Sequence, residues 1–180
     1  EVGSRGLGDV YKRQGFETAT SGQIKIGERI VNDLKPADRN VAMAFEGYAL
    51  YPPLTVKDNI AFSLMREKIS KDKVESKVME VAELLEITDI LERYPPSISG
   101  GQQQRVSLAR ALVRDSDALL LDEPMSQLEP QLRAVLRARV KDYIQHNNKT
   151  VIFVTHDQTE AVALADKIAV MENGDLKQLA

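Results

Sequence analysis

The chain of 180 residues is 43% hydrophobic and 28% charged, with a formal net charge of -3, the profile of globular domains of one or two units with enough length to bury a core. A pI near 5.5 counts against a nucleic-acid surface, where a basic excess supplies the phosphate contacts. The sequence holds no cysteine, which excludes disulfides, thiolate zinc sites, iron-sulfur clusters and cysteine nucleophiles from these residues, and no apolar stretch approaches the roughly 18 to 20 residues of a membrane-spanning helix.

Glu1 to Gln14 has neither helical nor strand periodicity, and its run from Arg5 to Gln14 resembles translated adaptor sequence. It is expected to be a non-native leader and is set aside from fold reasoning. Ile24, Ile26, Ile30 and Val31 flank Gly27-Glu28 as two short strands around a turn, and Val41, Met43 and Phe45 alternate as another strand. From Val56 the period becomes helical, with Val74, Val78, Val81, Leu84 and Leu85 as the apolar stripe of an amphipathic helix. Tyr94-Pro95-Pro96 must break the helical region, because proline lacks a donor and restricts the residue before it. A second helix follows over Gln102 to Val113. Ala118 to Leu121 and Val151 to Val154 are short apolar runs separated by a helical stretch from Gln131 to about His146, which predicts a strand, helix, parallel strand unit. Lys167 to Met171 is predicted to be a strand that turns at Asn173-Gly174 into Leu176.

Functional groups of open parallel sheets gather beyond the carboxyl ends of strands, where Asp122-Glu123 and Thr155-His156-Asp157 both fall. Adjacent carboxylates there suit phosphoryl transfer, one acid holding Mg2+ and its neighbour orienting or deprotonating a water; an ordinary solvated strand end is the other reading. Ser99-Gly100-Gly101 precedes the second helix. Serine can cap it, while two glycines and the helix's positive end admit an anion such as a nucleotide phosphate; a plain capped helix is again the alternative.

The succession Ile98-Ser-Gly-Gly-Gln-Gln-Gln-Arg105, Leu119-Leu-Leu-Asp-Glu-Pro124 and Val154-Thr-His-Asp157 resembles the ATPase subunit of ATP-binding-cassette (ABC) transporters, over nearly all of residues 15–180. Tyr48-Ala-Leu-Tyr-Pro-Pro-Leu-Thr-Val56 is similar to the subgroup that energises carbohydrate and glycerol-phosphate importers. The resemblance implies an α/β fold, the P-loop NTPase core of an ABC ATPase with a parallel sheet, an antiparallel β subdomain and a helical signature subdomain, truncated at both ends. Its implied divisions are a partial core over 15–55 and 117–180 and the helical subdomain over 56–116. It also implies ATP and Mg2+ as cofactors, a second ATPase subunit as homodimer partner, permease subunits, indirectly a solute-binding protein, no nucleic acid, and a place on the cytoplasmic face of the cell membrane. By position in the motifs, Ser99, Gly100, Gly101 and Gln102 would contact the partner's nucleotide, Asp122 would hold Mg2+, Glu123 would be the general base, and His156 would sense the terminal phosphate. Tyr48 to Pro53 would carry nucleotide state to the permease.

Three departures from the family pattern qualify those expectations. No Gly-x-x-x-x-Gly-Lys-Ser/Thr loop occurs in the 180 residues, so the polypeptide as written is expected to bind ATP poorly and to be inactive, the intact parent being the ATPase. Glu46 stands where the family has a glutamine that reaches Mg2+; a carboxylate still offers oxygen but cannot donate when ionised, so hydrolysis is expected to be retained and altered. Ser126-Gln-Leu-Glu129 replaces the usual terminal aspartate of the dimer-crossing loop with a longer acid, which puts cross-dimer coupling through Ser126 and Glu129 as nucleotide contacts in question, a tolerated conservative change being the other reading. His146 and the stretch from Lys68 to Lys77 read as solvated. The competing readings are a non-catalytic module that completes a partner's nucleotide site through Ser99 to Gln102, and a DNA-repair or chromosome-organising ATPase, which would require long heptad arms that the sequence lacks. A sheet edge exposed by the absent strand predicts aggregation of the isolated chain.

Overall fold

The computed structural model describes residues 12, 14, 15, 17–45, 47–65 and 67–180. Among them, three parallel strands form the central sheet in the order β3-β4-β5 (β3 Val41–Ala44, β4 Ala118–Asp122, β5 Val151–Val154). The middle strand ALLLD is buried at four of its five residues, as a strand flanked on both sides must be. Its register pairs Met43 with Leu120, and Leu120 with Ile152, so successive residues of all three strands divide between the two faces. Ala42, Ala44, Leu119 and Leu121 join the main core with the helices, whereas Val41 and Leu120 form a smaller cluster on the opposite face with Ile26, Met43, Ile152 and Val154.

The long connection from β3 to β4 is helical, as expected from Val56 onward. Helix α1 (Val56–Phe62) is capped by Thr55, α2 (Lys71–Leu84) by Ser70, and α3 (Gly100–Leu112) by Ser99. The sequence stripe of the middle helix is the face that α2 buries through Val78, Val81 and Ala82. Tyr94-Pro95-Pro96 does end the helical region, giving a single 3-10 turn over Pro95–Ser97. Helix α3 then starts two residues earlier than its apolar period suggests, because Ser99 and Gln102 build a reciprocal capping box that pulls both glycines into the first turn. Helix α4 (Pro130–His146) carries the chain to β5, and α5 (Gln158–Leu164) follows it directly.

Two antiparallel ribbons complete the fold: β1 (Lys25–Ile26) with β2 (Arg29–Ile30), and β6 (Ala169–Glu172) with β7 (Asp175–Leu179). Asn173 and Gly174 turn the second ribbon with φ of 51° and 86°, the paired left-handed conformations that an Asn-Gly hairpin turn requires. The α/β class, the parallel unit and the antiparallel elements expected from the sequence are thus all present.

Candidate functional site

The carboxyl ends of β4 and β5 lie side by side, with Asp122 in register with Val154. Asp122 is 4% exposed. Glu123 leaves the strand with φ of 47°, a left-handed conformation that crowds any Cβ-bearing residue. Its amide donates to the Val154 carbonyl at 3.0 Å, so the turn is tied to the neighbouring strand at the point where the backbone is least favourable. The carboxylate then reaches across to His156. Oε1 of Glu123 accepts the His156 backbone N–H at 2.9 Å and lies 2.8 Å from ring Nδ1. Against an ionised carboxylate Nδ1 must carry the hydrogen, which leaves Nε2 of a neutral ring as an acceptor on the far side. The bond to Glu123, reinforced by the charge of that carboxylate, raises the imidazole's pKa above its ordinary 6.5.

The turn bearing His156 is itself held from α5. Thr155 Oγ1 donates to Glu160 Oε2 at 2.8 Å, Asp157 caps α5 by accepting the amides of Thr159 and Glu160, and these backbone bonds, the one from Thr159 foremost, keep the Asp157 carboxyl below its usual range. Arg133 of α4 joins this turn to the loop after β4. Nη2 donates to the carbonyls of Ser126 and Leu128 at 3.2 and 3.0 Å, and the guanidinium pairs with Asp157 at 3.6 Å and Glu160 at 3.9 Å.

Ser99 and Gln102 come together at the start of α3, bonded to each other. The Ser99 amide donates to Gln102 Oε1 at 2.9 Å, and Ser99 Oγ accepts the Gln102 amide at 3.3 Å. Ser99 and Gly100 are exposed, Gly101 and Gln102 half-buried. Space at Gly101 is closed: an added Cβ would sit 3.1 Å from the Gln127 carbonyl oxygen. Ser126 lies close to Glu123, its amide donating to the Glu123 carbonyl at 3.3 Å. Glu129 is exposed at the N-cap position of α4 and makes no side-chain cap bond, consistent with the weak capping preference of a side chain one methylene longer than aspartate. Glu46 lies outside the described residues, as does nearly all of Glu1 to Gln14.

Gln104, Arg133 and Glu160 escaped the sequence reading although each buttresses the site. For Gln104 a signal existed: it shares the stripe of Leu108 and Ala111, at helical spacing, and is buried with them. Arg133 and Glu160 carried no comparable signal, since one charged residue on a helix looks like another.

The loop over 48–55 forms a second cluster. Tyr48 and Ala49 have φ of 60° and 45°, and Ala49 presents its carbonyl to Arg110 Nη1 at 2.6 Å. The same guanidinium lies 4.9 Å from the Tyr51 ring centroid, and burial lowers its pKa. Buried Asn59 fastens the loop: Oδ1 accepts the Tyr51 amide, and Nδ2 donates to the carbonyls of Tyr51, Leu54 and Thr55. Beside it opens a groove of about 410 Å³ lined by Leu54, Ala61, Phe62, Met65 and Val74, in which Met65 is 74% exposed.

Among the described residues no three His, Cys, Asp or Glu side chains gather as a metal cage. Mg2+ does not require one, because it keeps waters and takes phosphate oxygens beside one or two carboxylates, a role that Asp122 at the strand end fits.

The family model for ABC transporters matches residues 14–126, and the chain belongs to that family. UgpC of Ruegeria pomeroyi, an sn-glycerol-3-phosphate import ATP-binding protein, is 47% identical over 164 residues, which are 91% of this chain and 47% of that protein. The protein of the same name from Rhodopseudomonas palustris (strain BisB18) is 47% identical over 165 residues, 92% of this chain and 45% of its own length. The chain thus spans about half the length of these relatives. The dimeric structure of MJ0796, a bacterial ABC transporter cassette, superposes with a TM-score of 0.87 at 25% identity, covering 97% of this chain and 79% of that one. The post-hydrolysis dimer of the same cassette, bound to ADP and Pi, gives a TM-score of 0.87 at 24% identity with the same coverage. The fold is accordingly the P-loop NTPase core of an ABC ATPase.

Proposed function

We propose that the chain is part of the ATP-binding and ATP-hydrolysing subunit of an ABC importer whose solute is a glycerol-phosphate, a sugar or a related polyol. The observation that carries this reading is the pairing of Glu123 with His156 at 2.8 Å, one residue beyond buried Asp122. Asp122 would hold Mg2+, with Glu46 as a further oxygen donor; bound Mg2+ supplies charge neutralisation on the phosphates. Glu123, held by its backbone and by His156, would orient and deprotonate the attacking water. His156, with Nδ1 engaged, would offer Nε2 to the nucleotide's terminal phosphate or to that water. Ser99, Gly100, Gly101 and Gln102 would meet a second subunit's ATP at the amino end of α3, with Ser126 and Glu129 crossing beside it.

The helical stretch over 56–116 would act as the signature subdomain, and 15–55 with 117–180 as the core. The groove beside Tyr51 and Phe62 would seat a permease subunit, which would place the protein on the cytoplasmic face of the membrane and link it indirectly to a solute-binding protein. No described helix is long and apolar enough to cross a membrane. The names of the UgpC relatives support an import motor over a non-catalytic module. In the full-length protein, Glu123→Gln should retain ATP binding while turnover falls about 10² to 10³ fold. Turnover within a factor of two of native would remove Glu123 from the base role, and loss of ATP binding by the native protein would favour the module.

A further inference from the structure

Of the three consecutive glutamines that follow Gly101, only Gln104 is buried, at 2% exposure. All of its side-chain hydrogen bonds go to the segment after β4. Nε2 donates to the Glu123 carbonyl at 2.9 Å and to Ser126 Oγ at 3.1 Å, and Oε1 accepts the Gln127 amide at 2.8 Å. The first turn of α3 touches the same segment at Gly101, where an added Cβ would lie 3.1 Å from the Gln127 carbonyl oxygen and 3.4 Å from Leu128 Cδ2. The left-handed residue Glu123 is therefore gripped on both sides, its amide by Val154 and its carbonyl by Gln104.

We propose that Gln104 is a positioning residue for hydrolysis: it fastens the turn bearing Glu123 to the end of α3 bearing Ser99 to Gly101, so that the two shift as one block. The inference rests on the reading of Glu123 as general base and of Ser99 to Gly101 as the contact to a partner's nucleotide. Under that reading one chain's signature end serves one nucleotide and its base serves the other, and Gln104 links the two sites through a single buried side chain. Glutamine suits this place because it both donates and accepts. An ionised glutamate could still accept from Gln127 but could not donate to the Glu123 carbonyl, and leucine could do neither.

The test uses the full-length dimer, with ATP turnover measured against ATP concentration. Gln104→Leu and Gln104→Glu should each lower kcat about tenfold or more, with KM for ATP within about a factor of two of native, because the base is displaced while the nucleotide contacts stand. Gln103→Leu, which removes bonds only to the Pro95 and Ile98 carbonyls, is the control for disturbing the helix itself. Combining Gln104→Leu with Ser99→Ala should cost less than the product of the two single losses, since both act on one displacement. Kinetics of the Gln104 variants equal to those of Gln103→Leu, or full additivity with Ser99→Ala, would overturn the inference. Should Gln104→Leu fail to fold, Gln104→Glu carries the test, because it keeps the anchor to Gln127. Glu123→Gln in the same series separates the failures: if it turns over normally the base reading falls, whereas an inactive Glu123→Gln beside normal Gln104 variants removes Gln104 alone.

Discussion

One carboxylate oxygen, Oε1 of Glu123, takes both the backbone N–H and the ring Nδ1–H of His156, at 2.9 and 2.8 Å. The contact spans 33 positions of sequence and closes the gap between the ends of β4 and β5. It makes stability depend on pH. Because the folded imidazole titrates above its ordinary 6.5, its contribution is complete below that value and is lost as pH rises through the raised folded one. His156→Gln should flatten the decline of the thermal midpoint as pH rises above about 6.5. Parallel curves for the variant and the native protein would show that the contact is not linked to folding.

Asn59 bonds four backbone groups of one loop from a fully buried position, the Tyr51 amide and the carbonyls of Tyr51, Leu54 and Thr55. Asn59→Leu fills similar volume but strands the Leu54 carbonyl and the Tyr51 amide, while the Tyr51 and Thr55 carbonyls keep the backbone amides of Leu54 and residue 59. We expect a loss of about 2 to 3 kcal/mol in urea unfolding, together with faster amide exchange over 51–55. A change under about 0.5 kcal/mol would mean that water replaces the side chain without cost.

Arg133 reaches two carbonyls of the loop after β4 and two acids of the turn that carries His156. Arg133→Met keeps the apolar stem and removes the charge opposite Glu160, which is 2% exposed. The expected cost is about 2 to 3 kcal/mol, partly recovered in the double variant with Glu160→Gln, because the uncompensated buried charge is then gone. Additive losses in that double variant, measured by chemical denaturation, would separate the two residues energetically.

Ser99 caps α3, in a reciprocal capping box with Gln102. Ser99→Ala should therefore lower stability by about 1 kcal/mol in the absence of ATP. Ser99→Asp, which also caps but adds charge where a phosphate would approach, should hold stability and weaken ATP-dependent dimerisation in the full-length protein. Unchanged dimerisation of the Asp variant would argue that no phosphate comes near.

Much of this architecture was legible in the residue pattern because its determinants are local. The run Ala118 to Leu121, short and wholly apolar between polar flanks, reads as a buried strand, Tyr94-Pro95-Pro96 as a helix stop, and Asn173-Gly174 as a turn. Boundaries were less legible: the apolar period places the start of α3 at Gln102, whereas the capping box draws it back to Gly100. Strand β6 likewise runs over Ala169–Glu172 and not from Lys167, although the cross-strand pairing reaches one residue further, Ile168 and Ala180 exchanging both backbone N–H···O bonds.

The order of strands and helices, the acids ending an apolar strand and the Ser-Gly-Gly turn before a helix followed from the sequence alone, since each rests on neighbours within one turn or one strand. Tertiary structure decided the rest. It selected Gln104 from three identical residues, turned Glu123 into the left-handed region to face His156, and set Arg133 between two loops. Those choices depend on which chain segments parallel pairing brings together at the ends of β4 and β5, and that proximity is a property of the packed sheet that no short stretch of residues contains.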